Sequence, residues 1–228
     1  MAVFQTSAHE ISRRPSLRRG RRTHIGVAAW HEAGHALAAM REGRWVVAVE
    51  VSESLPGSGV TRQLVKRRAN RFNPVIGPGN ARAAWEDSLA RHLADLRVTL
   101  AGPLAEAKAV NRPLRAIGAD IDLEHCRQLA RRLQALRECV EDQGVDCGAP
   151  VTERFNEERK RVRRWVARPV NWCAIEKIAW QLMRKRRITA REVFACYLEG
   201  RAAYQHSLPL SWDAADLDSA ESNRRQAA

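Results

Sequence analysis

The sequence predicts a mainly α fold: a helical domain carrying one small β-hairpin. Two observations lead there. Long segments over about 81–110, 120–142, 152–167 and 170–186 read as helices. Only one stretch alternates with the period of a strand: Trp45, Val47, Val49 and Val51 interleave with Val46, Ala48 and Glu50. At 228 residues and 45% hydrophobic content, the chain can bury one ordinary core.

Taken in order, residues 1–24 read as a basic disordered tail. They hold Arg13, Arg14, Arg18, Arg19, Arg21 and Arg22 with little apolar content, too little to fold alone. The domain proper is expected over 25–206. Its first helix should run from Ile25 to Arg41, rich in Ala, with Gly43 just beyond as a stop. The alternating strand follows. The turn Leu55-Pro56-Gly57-Ser58-Gly59 then leads to a second short strand, about Val60 to Val65, which closes the hairpin. Residues 66–80, with Lys66, Arg67, Arg68, Arg71, Pro74 and Pro78, read as a basic loop. The four long helices come next, and Trp172 and Trp180 are expected on a shared, core-facing side of the last of them. A final helix opens on Thr189-Ala190-Arg191-Glu192, a capping-box pattern. Residues 207–228 form a polar tail.

Composition narrows the function classes. No run of about 18 apolar residues exists, so no transmembrane segment is expected. The N-terminus lacks the apolar core of a secretory signal. Five cysteines, an odd number without a C-x-x-C pair, point to a reducing compartment rather than to disulfides or a cysteine metal site. A cytoplasmic protein, bacterial or phage-encoded, fits these features. The formal charge of +13 favours acidic partners. Without a nucleic-acid reading motif, though, the basic clusters, Arg184 to Arg187 among them, read as solvated helix ends, and nucleic acid is not the expected partner.

The strongest chemical signal is His31-Glu32-Ala33-Gly34-His35. On a helix, residues i and i+4 lie one turn apart on one face. Two imidazoles so placed can ligate one Zn²⁺, with the intervening Glu32 beside the metal as general base for a water. A catalytic zinc needs a third protein ligand. No histidine follows at a short spacing, so that ligand comes from far along the chain. Glu86, Asp87, His92, Asp95, Glu106, Asp120, Asp122, Glu124 and His125 are all candidates on spacing.

A family resemblance bears on that choice. Val27 to Ala36 resembles the active-site helix of the FtsH-type AAA proteases. Leu100-Ala101-Gly102-Pro103-Leu104-Ala105-Glu106 is similar to that family's Leu-Gly-Gly-Arg-x-Ala-Glu segment. Gly118-Ala119-Asp120-Ile121-Asp122-Leu123 is similar to its Gly-Ala-x-Asn-Asp-Leu segment, continued by Leu129-Ala130-Arg131. Gly59-Val60-Thr61 sits where the family has the end of an edge strand, and Ile175 to Val193 resembles its last helices. The order is kept across roughly residues 25–200. The resemblance implies a helical zinc metallopeptidase domain in which Asp122 is the third zinc ligand. It implies that Glu106 lies near the site as acceptor for a ligand histidine, and that the strand at Val60 and Thr61 takes a polypeptide substrate by strand addition. It leaves room for a homo-oligomer, a ring of six, and for an ATPase acting in trans.

The departures are Pro103-Leu104 for the family's Arg-x, which would reshape a loop there, Asp120-Ile121 before the ligand, and the basic stretch 66–80. No G-x-x-x-x-G-K-[ST] loop occurs, so the chain reads as a stand-alone peptidase domain acting on flexible or unfolded chains. The competing expectation is a non-cleaving binding or regulatory module on the same fold.

Overall fold

The structure, a computed structural model, describes residues 3–4, 24–54, 57–64 and 77–207. Most of both tails, Leu55 and Pro56 of the expected turn, Val65 of the expected second strand and residues 66–76 of the basic loop lie outside the described residues. The described chain is mainly helical with a small antiparallel sheet, as the sequence predicts. Its elements are β1 (Val3–Phe4), α1 (His24–Arg41), β2 (Trp45–Val51), β3 (Gly59–Leu64), α2 (Gly77–Ala109), α3 (Asp120–Glu141), α4 (Val151–Ala167), α5 (Pro169–Lys185), β4 (Arg187–Thr189) and α6 (Ala190–Ser207). None of the described helices is long and apolar enough to cross a membrane. All five cysteines are free thiols.

Helix α1 is the axis of the molecule. Ala28, Ala29, Ala33, Ala36, Leu37, Ala38 and Ala39 are all buried, so the helix is enclosed rather than half-exposed. Its small side chains let α2, α5 and the β2–β3 hairpin approach closely. At Gly34 the backbones of α1 and α2 meet: a Cβ there would lie 2.4 Å from the Ala101 carbonyl oxygen. Ile175, Ile178 and Leu182 of α5 close the core from another side, and Val49, Ile188 and Val193 tie in the sheet and α6.

A charged network fixes the register of the helices. Arg97 of α2 donates to both carboxylate oxygens of Glu42, just beyond α1, at 2.8 Å each. It also meets Glu158 of α4 at 3.2 Å. Glu158 is buried, so its pairing with Arg97 and Arg161 meets the cost of burying the charge.

Several expectations change. The sheet has four strands in the order β1-β3-β2-β4, not a lone hairpin. Val3 and Phe4, expected in a disordered tail, pair with Leu64 and Gln63 on the outer edge of β3. Three residues of the C-terminal basic region, Arg187 to Thr189, pair with β2. The alternation along β2 is broken by a bulge: Val46 faces Gln63 and Ala48 faces Arg62, leaving Val47 as the extra residue. Hence Trp45 and Val47 are exposed while Val49 and Val51 are buried. Pro103 lies inside α2 rather than in a reshaped loop. It removes one N–H donor without ending the helix. Trp172 stacks on Trp30 with centroids 4.9 Å apart, but Trp180 is exposed. Eight positions advance a helix by about 80° beyond two full turns, which separates the two rings.

The capping box at the start of α6 forms. Thr189 N–H donates to Glu192 Oε2 at 2.7 Å, and Glu192 N–H reaches back to Thr189 Oγ1 at 3.5 Å. Lys185 and Thr189 together hold the Glu192 carboxyl down to about 2.

Candidate metal centre

Helix α1 presents His31 and His35 on one face, one turn apart, with their Nε2 atoms 3.0 Å from each other. The first turn of α3 brings Asp122 to them. Its Oδ2 lies 3.0 Å from His31 Nε2, and its Oδ1 lies 3.7 Å from His35 Nε2. Of the carboxylates and histidines that spacing left open, Asp122 completes the group. The ligand atoms of His31, His35 and Asp122 all fall within 4.8 Å of one another, an arrangement that can hold a metal ion. Among the described residues, no other group of three or more His, Cys, Asp or Glu side chains does so.

Each imidazole is oriented by a bond through its other nitrogen. His31 Nδ1 donates to Glu106 Oε2 at 2.8 Å, across 75 residues of sequence. Glu106 is buried, not solvated. His35 Nδ1 donates to the Val98 carbonyl at 2.8 Å. A carbonyl only accepts, so the proton of the neutral ring sits on Nδ1 and the lone pair on Nε2, facing Asp122 and His31. The Arg97–Glu42 pair, one residue before Val98, locks α2 against α1 and so holds that carbonyl in place.

The backbone leaves room for this packing at one critical point. A Cβ on Gly102 would lie 2.4 Å from His35 Nε2 and 2.6 Å from Cε1. The ring lies flat against the gap that glycine provides.

Electrostatics follow from the convergence. Burial alone would pull the His31 pKa down, but the Asp122 and Glu106 carboxylates more than reverse this and raise it to about 10. Burial would push the Asp122 carboxyl up, but His31 and then His35 hold it below the ordinary carboxylate range. Without an ion, the site thus keeps a proton on His31 as its cation. Cys126, one turn after Asp122 on α3, is pushed up to about 12 by burial and by Asp122. It stays a thiol, and only a thiolate ligates or attacks.

Glu32 sits beside the pair, buried, with its Oε2 accepting a 2.7 Å bond from the Thr61 hydroxyl. Thr61 was expected as a point on a substrate-binding strand. Its side chain faces inward, to Glu32, while Val60 next to it is only half-buried. Along the outer edge of β3, β1 pairs only with Gln63 and Leu64.

Sequence reasoning missed the Val98 carbonyl, which carries no side-chain signature, and the steric role of Gly102. The only available signal for Gly102 was its place beside Pro103 in the Leu-Ala-Gly-Pro run.

The chain matches no protein-family model, and a search of the curated proteins finds no match.

Proposed function

We propose that this protein is a zinc metalloendopeptidase that hydrolyses peptide bonds in flexible or unfolded polypeptides. The observation that carries the reading is the convergence of His31 Nε2, His35 Nε2 and the Asp122 carboxylate, each imidazole oriented by a partner on α2, with the buried Glu32 carboxylate near enough for its charge to act on His31. Tetrahedral ligands at about 2.05 Å from zinc stand about 3.3 Å apart. The nearest approaches among the three residues, 3.0, 3.0 and 3.7 Å with the last two to different Asp122 oxygens, lie around that value. Two neutral-capable imidazoles and one carboxylate are the donor set of a hydrolytic zinc site with an open fourth position.

His31, His35 and Asp122 would hold the ion, with Glu106 and the Val98 carbonyl fixing the rings. A bound zinc ion supplies Lewis acidity and brings the pKa of a coordinated water to about 7. Glu32 takes the proton of the attacking water as its oxygen bonds to the scissile carbonyl carbon. The same carboxyl returns that proton to the amine nitrogen as the C–N bond breaks, leaving a carboxylate and an amine. The outer edge of β3 near Val60 offers backbone groups to an extended substrate chain. Such recognition reads backbone rather than folded shape, which suits unstructured segments. Assembly into a ring and an ATPase acting in trans belong to the same proposal, drawn from the resemblance to FtsH-type proteases.

The test is metal content together with cleavage of an unfolded protein such as reduced casein by wild type and Glu32→Gln. One zinc per chain, with cleavage lost in the variant, is expected. Zinc without cleavage by the wild type, or undiminished cleavage by Glu32→Gln or in excess chelator, refutes it.

A further inference from the structure

Glu32 is not simply adjacent to the metal ligands; it is seated on β3. Thr61 Oγ1 donates to its Oε2 at 2.7 Å and also approaches its backbone carbonyl at 3.2 Å. Both residues are 6% exposed, so water does not compete for the bond. Two residues earlier, on the same face of the strand, Gly59 leaves the carboxylate the space it occupies. A Cβ on Gly59 would lie 2.5 Å from Glu32 Cγ and 2.9 Å from Oε1. The seat is therefore a hydroxyl on one carboxylate oxygen and a missing side chain beneath the other.

We infer that Thr61 is a positioning residue for Glu32. Its hydroxyl engages Oε2 and fixes the rotation of the carboxylate, so that Oε1 is the oxygen left to take a proton from water. Gly59 keeps the carboxylate at the depth where that bond forms. A glutamate on a helix otherwise swings about three side-chain torsions, and misplacing a reacting group by about 1 Å costs about 100-fold in rate. The seat also has a geometric consequence. Glu32 is mounted on the strand whose outer edge is offered to substrate, so base and scissile bond are referenced to one rigid element. This inference rests on the peptidase reading, and the experiment below separates the two.

The substitutions are Thr61→Val, which keeps the shape and removes only the hydroxyl, Thr61→Ser, which restores it, and Gly59→Ala, which intrudes on the carboxylate. Thr61→Val should lower kcat by about 10- to 100-fold, with KM and zinc content close to wild type and a lower thermal midpoint, since a buried carboxylate oxygen loses its donor. Thr61→Ser should recover most of kcat. Gly59→Ala should fall with Thr61→Val. Unchanged kcat in Thr61→Val, a Thr61→Ser variant as slow as Thr61→Val, or a loss confined to KM or zinc content overturns the assignment.

A second readout needs no turnover. A dipeptide hydroxamate would offer its two oxygens to an ion held by His31, His35 and Asp122, and its acidic proton to the Glu32 carboxylate. Its affinity for the zinc-loaded protein should weaken in Glu32→Gln and in Thr61→Val and return in Thr61→Ser. If the wild type binds zinc but cleaves nothing, the peptidase reading fails, and the hydroxamate series still decides the role of Thr61: equal affinity in wild type and Thr61→Val sinks it. A wild type that binds no zinc sinks both.

Discussion

Gly102→Ala should weaken zinc binding at the candidate site while leaving the helices intact. The added methyl would lie 2.4 Å from His35 Nε2, 2.6 Å from Cε1 and 2.7 Å from Cδ2. Ordinary contacts between such atoms are about 3.5 Å or more, so the ring must retreat by about 1 Å. It has little freedom to do so. Its Nδ1 is bonded to the Val98 carbonyl, and its backbone belongs to the enclosed helix α1. Metal ligands are tolerated within about 0.2 Å of their proper distance, so the displacement is about five times what the site accepts. Losing a partner behind a ligand costs about 10- to 100-fold in metal affinity. Displacing the ligand itself should cost at least the upper end, about 2.8 kcal/mol. The ordinary gain of about 0.5–1 kcal/mol for alanine over glycine in a helix interior is offset here by the clash of a Cβ with the ring of Pro103, so helix stability should change little. The assay is a zinc titration against a competing chelator, paired with the thermal midpoint and far-UV circular dichroism of the metal-free protein. Wild-type zinc affinity in Gly102→Ala refutes the reasoning. So does a variant that loses helix along with metal, since the methyl would then be disrupting packing rather than one ligand.

Glu106→Gln should weaken zinc binding by about 10- to 100-fold with the fold retained, read by the same titration. Because the His31 pKa is raised to about 10 in the metal-free state, its ring carries a proton at pH 7 that the ion must displace. Zinc binding at pH 7 should release about one proton per ion, measured by calorimetry in buffers of different ionisation enthalpy, and zinc affinity should climb with pH up to about 10. The sign for folding follows. A raised pKa stabilises the metal-free protein fully below the ordinary histidine value of 6.5, and that stabilisation is lost as pH rises through about 10. Denaturant midpoints of metal-free protein should fall across that window, and a flat profile would contradict it. Arg97→Met leaves Glu158 buried beside Arg161 alone and frees Glu42, so urea unfolding should show a loss of about 3 kcal/mol. Thr189→Ala removes the hydroxyl of the α6 capping box and should cost about 1 kcal/mol.

What could be read from the sequence was what is local. The His31–His35 pair, the β2–β3 hairpin and the Thr189–Glu192 cap each rest on a spacing of a few residues, and such patterns survive folding. The third member of the site did not follow from spacing, because nothing local distinguishes Asp122 from Asp120 or Glu124; a resemblance singled it out. Strands β1 and β4 were invisible because two or three residues hold no period. Their pairing is dictated by the edges of β2 and β3, which only the fold supplies. The bulge at Val47 interrupts the alternation of β2: the buried positions are first Val46 and Ala48 and then Val49 and Val51, a change of phase that one extra residue brings. Pro103 reads as a breaker, yet the packing of α2 on α1 overrides its local cost.

The two sides of the candidate metal centre are unequally anchored. Helix α1 buries Ala28, Ala29, Glu32, Ala33, Gly34 and Ala36 to Ala39, whereas α3 buries only Leu129, Leu133 and Val140 and has no side-chain cap at its N-terminus. Its backbone approaches α2 and α4 rather than α1. An ion held by Asp122, His31 and His35 would therefore reinforce the His31–Asp122 pair that ties the first turn of α3 to α1. In hydrogen-exchange terms, amides near 120–126 would open on their own at low free-energy cost in the metal-free protein and become protected on loading, while those of α1 exchange only with global unfolding. Occupancy of the centre would thus be legible from the breathing of a single helix end, without any measurement of activity.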